Sequence, residues 1–326
     1  MKLTDEIKSG PSAESTAPGH QELEYAYFEG QYVPFNDAKL SIRNPAFLYG
    51  TSLFEGIRGY WVPETRQISI FRMKEHYQRL LNNSKLFYMT PDLSLEDLCD
   101  ITVELIKRNK PSTDMYIRPT LYKTGESITP TLENIPSDFC LWTKPLGEYL
   151  DLSKGLSVCV SNWRRVPDNS IPARAKAGGA YMNTALAVTD ARKMGFDDAI
   201  FLTNEGTVSE GSAMNLFLVK DGQLVTPSKT EDILEGITRD TIITLGLNEL
   251  GIDTVERTID RTELYHADEA FFCGTGAQIS PITHIDNRPV GDGTPGKLTR
   301  RIQDLYFDVV KSKLPQYEHW CTVVQV

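Results

Sequence analysis

The sequence predicts an α+β protein built from two domains, a small N-terminal domain and a larger C-terminal domain. The chain has 326 residues, which is more than one small core usually holds and enough for two domains of ordinary size. Segments with strand character and segments with helix character are mixed, without the regular alternation that builds a doubly wound parallel sheet. Hydrophobic residues at 40% and charged residues at 24% are ordinary for a globular protein.

Composition divides the chain into four predicted parts. Residues 1–22 have no apolar run and are rich in Ser, Pro, Gly and Glu, which predicts a flexible leader and not a signal peptide. The small domain is predicted over 23–144 and the large domain over 156–326. Residues 145–155, around "LGEYLDLSKG", are predicted to be the interdomain loop.

The first domain opens with strand-forming residues in "YAYF", followed by a turn at "EGQ". A short strand at "RQISIF" leads into "RMKEHYQRLLNNSKLF", whose apolar residues recur at helical spacing. "SLEDLCDITVELIKRN" is a clearer amphipathic helix, with Ser94 as the predicted N-cap and Asp97 three residues later. Alternation of period two then predicts a strand at "DMYIRPTLY", with Tyr116 and Arg118 on one face. "DFCLWTKP" is a further predicted strand.

The second domain repeats the mixture of strands and helices. "LSVCVSNW" is a predicted strand, and "YMNTALAVTDARKM" is a predicted helix that stops at Gly195. Strands with a hairpin at "KDG" follow, then a helix at "GITRDTIITLGLNELGI". After more strands, "KLTRRIQDLYFDVVKSKL" predicts a closing amphipathic helix.

Charge and cysteine usage exclude several classes of function. The net charge of −10 argues against nucleic acid as a partner, because phosphate repels an acidic protein. Five cysteines without paired spacing predict reduced thiols and a cytoplasmic protein, and the five histidines form no ligand motif, so we expect no metal site. No run approaches the about 20 apolar residues that cross a bilayer, so we expect no membrane association.

Lys176 is the first candidate for chemistry, because it lies among small residues in "ARAKAGGAY". Most lysines are solvated surface residues, and a surface lysine does not require small residues on either side of it. A nucleophilic lysine that forms a Schiff base needs partial desolvation and room for a flat ligand. Tyr181 is predicted to begin the following helix and could donate a hydrogen bond to a phenolic oxygen on that ligand.

Glu210 in "TVSEGSAMN" is the second candidate. Taken alone, it is more often a solvated turn carboxylate. Opposite a pyridine nitrogen, a carboxylate keeps that nitrogen protonated and makes the ring an electron sink. Three features suit a phosphate, although each is weak on its own: the helix start at Ile237 and Thr238, the "GTG" turn around Thr275, and Arg72 between a strand and a helix.

Together, a lysine, an acid, a phenol, an arginine and two amide-rich turns describe a site for pyridoxal 5′-phosphate. The chain also resembles the fold-type IV aminotransferases, most closely the branched-chain amino-acid aminotransferases, from about residue 25 to residue 322. The motifs that carry the resemblance are "YGTSLFEGIRGY" (49–60), "FRMKEHYQRL" (71–80), "YIRP" (116–119), "AKAGGAY" (175–181), "SEGSAMNLF" (209–217), "EGITRD" (235–240) and "DEAFFCGTGAQISPI" (268–282).

The resemblance implies a role for each candidate. Lys176 would carry the cofactor and shuttle the proton, Glu210 would face the ring nitrogen, and Tyr181 would face the ring hydroxyl. The phosphate would be held by Arg72, Ile237, Thr238 and Thr275, and the substrate carboxylate by the turn with Gly276 and Ala277. The substrate side chain would be enclosed by Tyr49, Phe54 and Tyr149, and the distal carboxylate of glutamate would be gripped by Tyr116 and Arg118.

The implied reaction is transamination of the L-amino acids leucine, isoleucine and valine with 2-oxoglutarate, which gives 2-oxo acids and L-glutamate. The resemblance also implies a homodimer, or a higher homo-oligomer, because Tyr49 usually reaches the site of the neighbouring subunit. The fold implied is the two-domain fold of type IV enzymes, with the cofactor lysine in the large domain.

Several positions depart from the branched-chain pattern. Met214 stands where glutamate is common, Leu146 stands where tryptophan often precedes the loop glycine, and "GTGAQ" replaces "GTAAE". The loop at 122–131 also lacks the expected glycine-rich form. Because these changes surround the predicted substrate pocket, three alternatives stay open: a D-amino-acid or (R)-amine aminotransferase, a lyase like aminodeoxychorismate lyase, and a non-enzymatic binding protein.

Overall fold

A computed structural model of the chain describes residues 24–147 and 154–326. The predicted leader and the middle of the predicted interdomain loop, with Tyr149, lie outside these described residues. The described strands fall into two sheets, so the mixed α+β architecture predicted from the sequence is confirmed.

The strands that form the first sheet come from the first half of the chain and from its C-terminal end. They are β1 (Tyr25–Phe28), β2 (Gln31–Pro34), β3 (Ser52–Phe54), β4 (Ile57–Val62), β5 (Gln67–Phe71), β6 (Met115–Lys123), β7 (Ser137–Pro145) and β17 (Cys321–Gln325). The remaining strands form the second sheet. They are β8 (Leu156–Arg164), β9 (Asp198–Leu202), β10 (Val208–Gly211), β11 (Asn215–Lys220), β12 (Gln223–Pro227), β13 (Thr254–Arg257), β14 (Glu269–Gly274), β15 (Gln278–Ile285) and β16 (Arg288–Pro289).

The α-helices of the described residues pack on these sheets. They are α1 (Pro45–Tyr49), α2 (Met73–Ser84), α3 (Leu95–Asn109), α4 (Tyr181–Lys193), α5 (Ile237–Leu250) and α6 (Lys297–Val310). The predicted cap of α3 is confirmed, since the Ser94 hydroxyl accepts from the Asp97 amide and the Asp97 carboxylate accepts from the Ser94 amide.

The first sheet is antiparallel, in the order β17-β5-β4-β6-β7-β1-β2, with β3 paired to β6. The period-two alternation predicted for β6 is confirmed, because Met115 and Ile117 are fully buried whereas Tyr116 and Arg118 are only half-buried on the other face. Apolar side chains of α2 and α3 complete the core on the buried face. The opposite face of β6 is therefore free to present Tyr116 and Arg118 to a ligand.

The second sheet has the order β10-β9-β8-β15-β14-β11-β12-β13, with β16 paired to β15. It is mixed, since β8 runs parallel to both β9 and β15 and β12 runs parallel to β13. The predicted hairpin between β11 and β12 is confirmed, with Asp221 and Gly222 in the left-handed region.

A separate hydrophobic core joins the two sheets. Tyr60 and Phe71 of the first sheet pack in one buried cluster with Phe217 and Phe271 of the second sheet and with side chains of α5 and α6. The rings of Phe217 and Phe271 are stacked, with centroids 5.1 Å apart. This shared core fixes the position of the first sheet against the second, and the candidate site lies between them.

The C-terminal strand differs from the predicted division of the chain. The large domain is predicted to run to residue 326, but β17 pairs antiparallel with β5 at the edge of the first sheet. The Arg72 amide also donates to the Trp320 carbonyl at 2.6 Å, directly beside this pairing. The tail therefore crosses back from the second sheet, which no local pattern in the sequence indicates. The other predicted boundaries stay predictions.

Candidate active site

A cavity of about 420 Å³ opens between the two sheets. The first sheet and α2 form one wall, the segment from Ala173 to Thr184 forms the floor, and strand ends of the second sheet with the start of α5 form the other wall. Ligand sites are typically concave, partly apolar and lined by a few convergent polar groups, and this cavity has those properties.

Lys176 lies on the floor of the cavity. Its backbone is in the left-handed region with φ of 55°, a conformation that non-glycine residues rarely adopt. The Lys176 carbonyl accepts from the Phe54 amide at 3.3 Å, and its side-chain amine donates to the Tyr181 phenol at 3.1 Å. The amine also lies 5.0 Å from the centre of the Phe54 ring. The predicted neighbourhood of Lys176 and Tyr181 is present.

The small residues around Lys176 divide into two groups with different roles. Ala173, Ala177 and Ala180 line the cavity, so their small side chains leave space for a flat ligand beside the lysine. Gly178 and Gly179 instead pack against the segment 50–52, where a side chain on Gly178 would collide with the Ser52 hydroxyl. The two glycines therefore bring β3 close to the lysine segment and do not themselves make room for a ring.

Glu210 lies in β10, is 3% exposed, and faces the cavity. One carboxylate oxygen pairs with the Arg165 guanidinium at 2.8 Å, and the other accepts from the Asn215 amide at 2.9 Å and the Leu234 backbone at 3.1 Å. Burial raises the pKa of Glu210, and the charges of Arg165 and Lys176 oppose that rise. A carboxylate has about four acceptor positions, so these three bonds leave one for a ligand.

Arg72 does not line the cavity, so the geometry gives no support to its predicted role in holding a phosphate. Its guanidinium pairs with Glu75 at 2.9 Å and with Asp240 at 2.6 Å, and it lies over the Trp320 ring. Arg79 lines the cavity instead. The two arginines are seven residues apart, but Arg72 is the N-cap of α2 with its backbone in the left-handed region, so helical spacing does not place the two side chains on one face.

The start of α5 and the turn after β14 form one end of the cavity. Ile237 and Thr238 line it at the first turn of α5, where the backbone amides have no helical partners. Gly236 is the N-cap, and a side chain there would collide with the Asn215 amide that binds Glu210. Thr275, Gly276 and Ala277 also line the cavity, as the sequence predicts.

The end of the cavity formed by β3 and β6 combines apolar and cationic surface. Arg118 donates to the Tyr116 phenol at 2.9 Å, and its guanidinium carbon lies 3.4 Å from the centre of the Phe54 ring. Within residues 24–147 and 154–326, no acidic side chain forms an ion pair with Arg118. A stacked guanidinium without a carboxylate can accept an anionic ligand group while the ring beside it contacts an aliphatic one.

Two of the predicted substrate residues stand apart, because one lies away from this cavity and the other lies outside the described residues. Tyr49 is 41% exposed, lies at the end of α1, and donates to the Ile128 carbonyl at 2.6 Å. It does not line the cavity of its own chain. Tyr149 lies outside the described residues, so its role stays a prediction.

Sequence reasoning missed several polar residues of the site, among them Arg79, Arg165 and Asn215. Arg79 and Asn215 lie inside the motifs "FRMKEHYQRL" and "SEGSAMNLF", so the motifs pointed to the correct segments without indicating which side chain reaches the cavity. Arg165 gave only a weak signal, as the second of two adjacent arginines after a strand.

A lysine amine beside a phenol, with a buried acid lining the same cavity between two sheets, is an arrangement typical of enzymes that use an amine as the reactive group. The chain belongs to the amino-transferase class IV family, whose model matches residues 52–285.

Individual relatives can be aligned with this chain over nearly its full length. A probable branched-chain-amino-acid aminotransferase of Aquifex aeolicus is 46% identical over 302 residues, which are 93% of this chain and 97% of the relative. The crystal structure of a branched-chain aminotransferase of Thermoproteus uzoniensis with norvaline has a TM-score of 0.88 and 37% identity, and covers 94% of this chain and 99% of that one. The crystal structure of a branched-chain amino acid aminotransferase of Thermobaculum terrenum in its PLP-form has a TM-score of 0.90 and 36% identity, and covers 94% of this chain and 100% of that one.

In the part of the chain that the structure describes, none of the helices combines the length and the apolar character needed to span a bilayer.

Proposed function

We propose that this chain catalyses transamination of L-leucine, L-isoleucine and L-valine with 2-oxoglutarate, with pyridoxal 5′-phosphate as its cofactor. The observation that carries the proposal is the Lys176 amine, hydrogen-bonded to Tyr181 in the cavity that also holds the buried Glu210. Relatives named as branched-chain aminotransferases, or as probable ones, align with more than nine-tenths of the chain.

The donors and acceptors of the cavity fit this cofactor. Glu210 has one acceptor position left for a ring N–H, and Tyr181 lies beside Lys176 where a ring hydroxyl would be. The free amides of the first turn of α5, the hydroxyl of Thr275 and the guanidinium of Arg79 are suitable donors for a phosphate.

When bound, the cofactor supplies a conjugated ring that withdraws electrons from the α-carbon of the amino acid. The residues of the chain do the rest. Glu210 would hold a proton on the ring nitrogen, because it is a buried carboxylate that lines the cavity and has an acceptor position left. The Lys176 amine would take the proton from the α-carbon and deliver it to the cofactor carbon on the other side of the amino nitrogen, a positioned transfer that typically contributes about 10²–10⁴-fold.

Two kinds of side chain must fit one substrate pocket, because the second half-reaction uses glutamate in place of an aliphatic amino acid. Phe54 supplies an apolar surface, and Arg118 with Tyr116 supplies a cation and a phenol at the same end of the cavity. The turn with Gly276 and Ala277 is the candidate site for the α-carboxylate, which both substrates share.

The test is a panel of amino donors offered to the purified chain with 2-oxoglutarate. We expect L-glutamate to form from L-leucine, L-isoleucine and L-valine at rates far above those from D-alanine or (R)-1-phenylethylamine. Preference for D-alanine or the amine would instead identify a different stereochemical class. Release of pyruvate from one substrate without any acceptor would identify a lyase.

The proposal includes a homodimer. Its support is a set of exposed apolar side chains at and beside α1, of a kind that marks protein interfaces. They are Ile42, Phe47, Leu48, Tyr49 and Ile128. In such a dimer Tyr49 would enter the cavity of the partner subunit, which its exposure on its own chain permits. Light scattering should give at least twice the chain mass of 36.7 kDa, and a monomer mass at working concentration would contradict this.

A cytoplasmic location is part of the same proposal. It is supported by the five cysteines, all of which are free thiols, as reducing compartments maintain them. Fractionation of cells that express the full chain would test it.

A further inference from the structure

A buried carboxylate lies directly behind the cavity wall. Glu55 follows β3, is fully buried, and does not itself line the cavity. Its backbone amide donates to the Pro119 carbonyl at 3.0 Å, which fixes it to the start of the pairing between β3 and β6. A buried carboxylate costs free energy of folding unless its oxygens are paired and hydrogen-bonded. The residues that bind Glu55 therefore indicate its role.

Both oxygens of Glu55 are occupied by two residues of α2 that do line the cavity. The Arg79 guanidinium donates twice, from Nε at 2.8 Å and from Nη2 at 2.7 Å, in a bidentate pair. The His76 Nδ1 lies 2.8 Å from Oε2 of the same carboxylate. Burial raises the pKa of Glu55, but the Arg79 charge and its hydrogen bonds, with those of His76, outweigh burial and hold the pKa below its ordinary value.

The same bonds determine which donors of Arg79 remain for a ligand. A guanidinium has five N–H groups. Two bind Glu55, and a third, on Nη1, donates to the Glu235 carbonyl at 2.7 Å, in the segment just before α5. The two remaining N–H groups belong to a side chain that lines the cavity together with Ile237 and Thr238.

We propose that Glu55 is a positioning residue, which holds Arg79 in the single orientation that aims its two remaining N–H groups at a phosphate bound against the first turn of α5. The inference rests on the proposed function, because it concerns the phosphate of the cofactor proposed there. His76 completes the arrangement by occupying the remaining side of the carboxylate, so that Glu55 cannot rotate away from Arg79.

Replacement by glutamine disturbs this arrangement in either orientation of the amide. Oε1 and Oε2 of Glu55 both accept from Arg79, so the amide NH₂ of Glu55→Gln must face a guanidinium N–H whichever way it turns. The substitution preserves shape and removes both the charge and one acceptor. Arg79 then loses the partner that sets its orientation while the amides of α5 are unchanged.

The test compares a ligand that has the phosphate with one that lacks it. The full chain, freed of bound cofactor, is titrated with pyridoxal 5′-phosphate and with pyridoxal, and the dissociation constants are measured by fluorescence. We expect Glu55→Gln to weaken binding of the phosphate form by about 10- to 100-fold, the effect of losing a hydrogen bond to a charged group, and to leave pyridoxal binding unchanged. The ³¹P resonance of the bound phosphate should also shift.

Two further variants control the measurement. Glu75→Gln removes a carboxylate on the same helix that pairs with Arg72 outside the cavity, and we expect it to change neither constant. Glu55→Asp keeps the charge but shortens the side chain, and it replaces the glutamine variant if that one fails to fold; the same selective loss is expected.

Equal weakening of both ligands, or unchanged binding of the phosphate form, would overturn the positioning role of Glu55. Failure of the wild-type chain to bind either ligand would instead overturn the proposed function itself, so the two failures are distinguishable.

Discussion

The side-chain amine of Lys176 donates a hydrogen bond of 3.1 Å to the phenol oxygen of Tyr181. The pair is formed within one short segment, because Lys176 is in the left-handed region and a single turn of 3-10 helix at Gly178–Ala180 leads directly to Tyr181 at the start of α4. The Phe54 ring packs against Tyr181, with centroids 4.8 Å apart. Local backbone geometry and one contact from β3 thus set the distance between the two groups.

Removing the phenol should slow the reaction without disturbing the fold. We expect Tyr181→Phe to lower kcat by about 2- to 10-fold, which corresponds to the loss of one ordinary hydrogen bond in the transition state. Steady-state kinetics with L-leucine and 2-oxoglutarate measure the effect. Tyr88→Phe is the control, since Tyr88 is 65% exposed and outside the cavity, and a kcat for Tyr181→Phe equal to that control would contradict the role of the phenol.

Removing the amine should nearly abolish activity. We expect Lys176→Ala to lower the rate by at least about 10²-fold, because the α-proton then has no positioned base. Borohydride reduction followed by mass spectrometry should add the mass of the cofactor to the wild-type chain and not to the variant. Lys220→Ala, at the last residue of β11 and half-exposed, should behave like wild type. Covalent capture of the cofactor by Lys176→Ala would locate the reactive amine elsewhere.

The carboxylate of Glu210 should matter for chemistry more than for stability. We expect Glu210→Gln to lower kcat by about 10²–10³-fold, as is typical when one preorganised electrostatic group is removed, since a neutral amide cannot keep the ring nitrogen protonated. Glu231→Gln is the matched control. Glu231 is also a buried carboxylate and accepts from the Thr207 and Thr258 hydroxyls, but it does not line the cavity. If both variants lost kcat equally, the effect would belong to folding and not to the site.

Stability should depend on pH through His76. Burial lowers the pKa of His76 below its usual 6.5, so the unfolded chain binds a proton in a range of pH where the folded chain does not. This contribution to stability is therefore present above pH 6.5 and declines as the pH falls below it, by up to about 1.4 kcal/mol per pH unit. We expect the free energy of unfolding of wild type to fall more steeply from pH 8 to pH 5 than that of His76→Gln.

Glutamine suits this comparison because its amide can still donate to Glu55 but does not titrate. The other histidines are common to both chains, so their contributions cancel in the difference between them. Parallel pH profiles, measured by denaturant unfolding, would show that His76 has the same pKa in both states.

The features that the sequence alone predicted correctly are mostly local. The capping box of Ser94 and Asp97 lies within one turn, and Lys176 and Tyr181 lie within one short segment, so residue types and spacing were sufficient. Glu210 lines the same cavity. Its place there could be predicted only from the resemblance of its motif to that of a known family, and not from any spacing within the chain.

The features that sequence reasoning missed depend on packing between distant segments. Arg72 is the N-cap of α2 and Arg79 lies seven residues further along, and only the position of α5 decides that Asp240 binds the first while the second reaches the cavity. The pairing of β17 with β5 joins residues about 250 positions apart, with Gln325 opposite Gln67. Neither arrangement leaves a periodic signal in the sequence, because propensity and amphipathicity describe an element and not its partner.

The close approach of Gly50 and Gly179 should be necessary for both stability and activity. Gly50 has φ of +66°, and a Cβ there would lie 2.8 Å from the backbone Cα of Gly179, three residues from Lys176. Gly30 has φ of +77° but nothing within 4 Å of its would-be Cβ, so Gly30→Ala measures the backbone penalty alone, about 1–2 kcal/mol. We expect Gly50→Ala to lose a further 1–3 kcal/mol, roughly the cost of overpacking, because backbone atoms cannot rotate away.

The turnover number kcat should distinguish Gly50→Ala from Gly30→Ala as well. Displacement of the segment that carries Lys176 should move its amine away from Tyr181, so we expect Gly50→Ala to lose kcat while Gly30→Ala, at a turn remote from the cavity, keeps it. Denaturant unfolding and steady-state kinetics on the same preparations give both quantities. If Gly50→Ala and Gly30→Ala lost stability equally and kept the same kcat, the contact between the two glycine segments would have no part in holding the lysine in place.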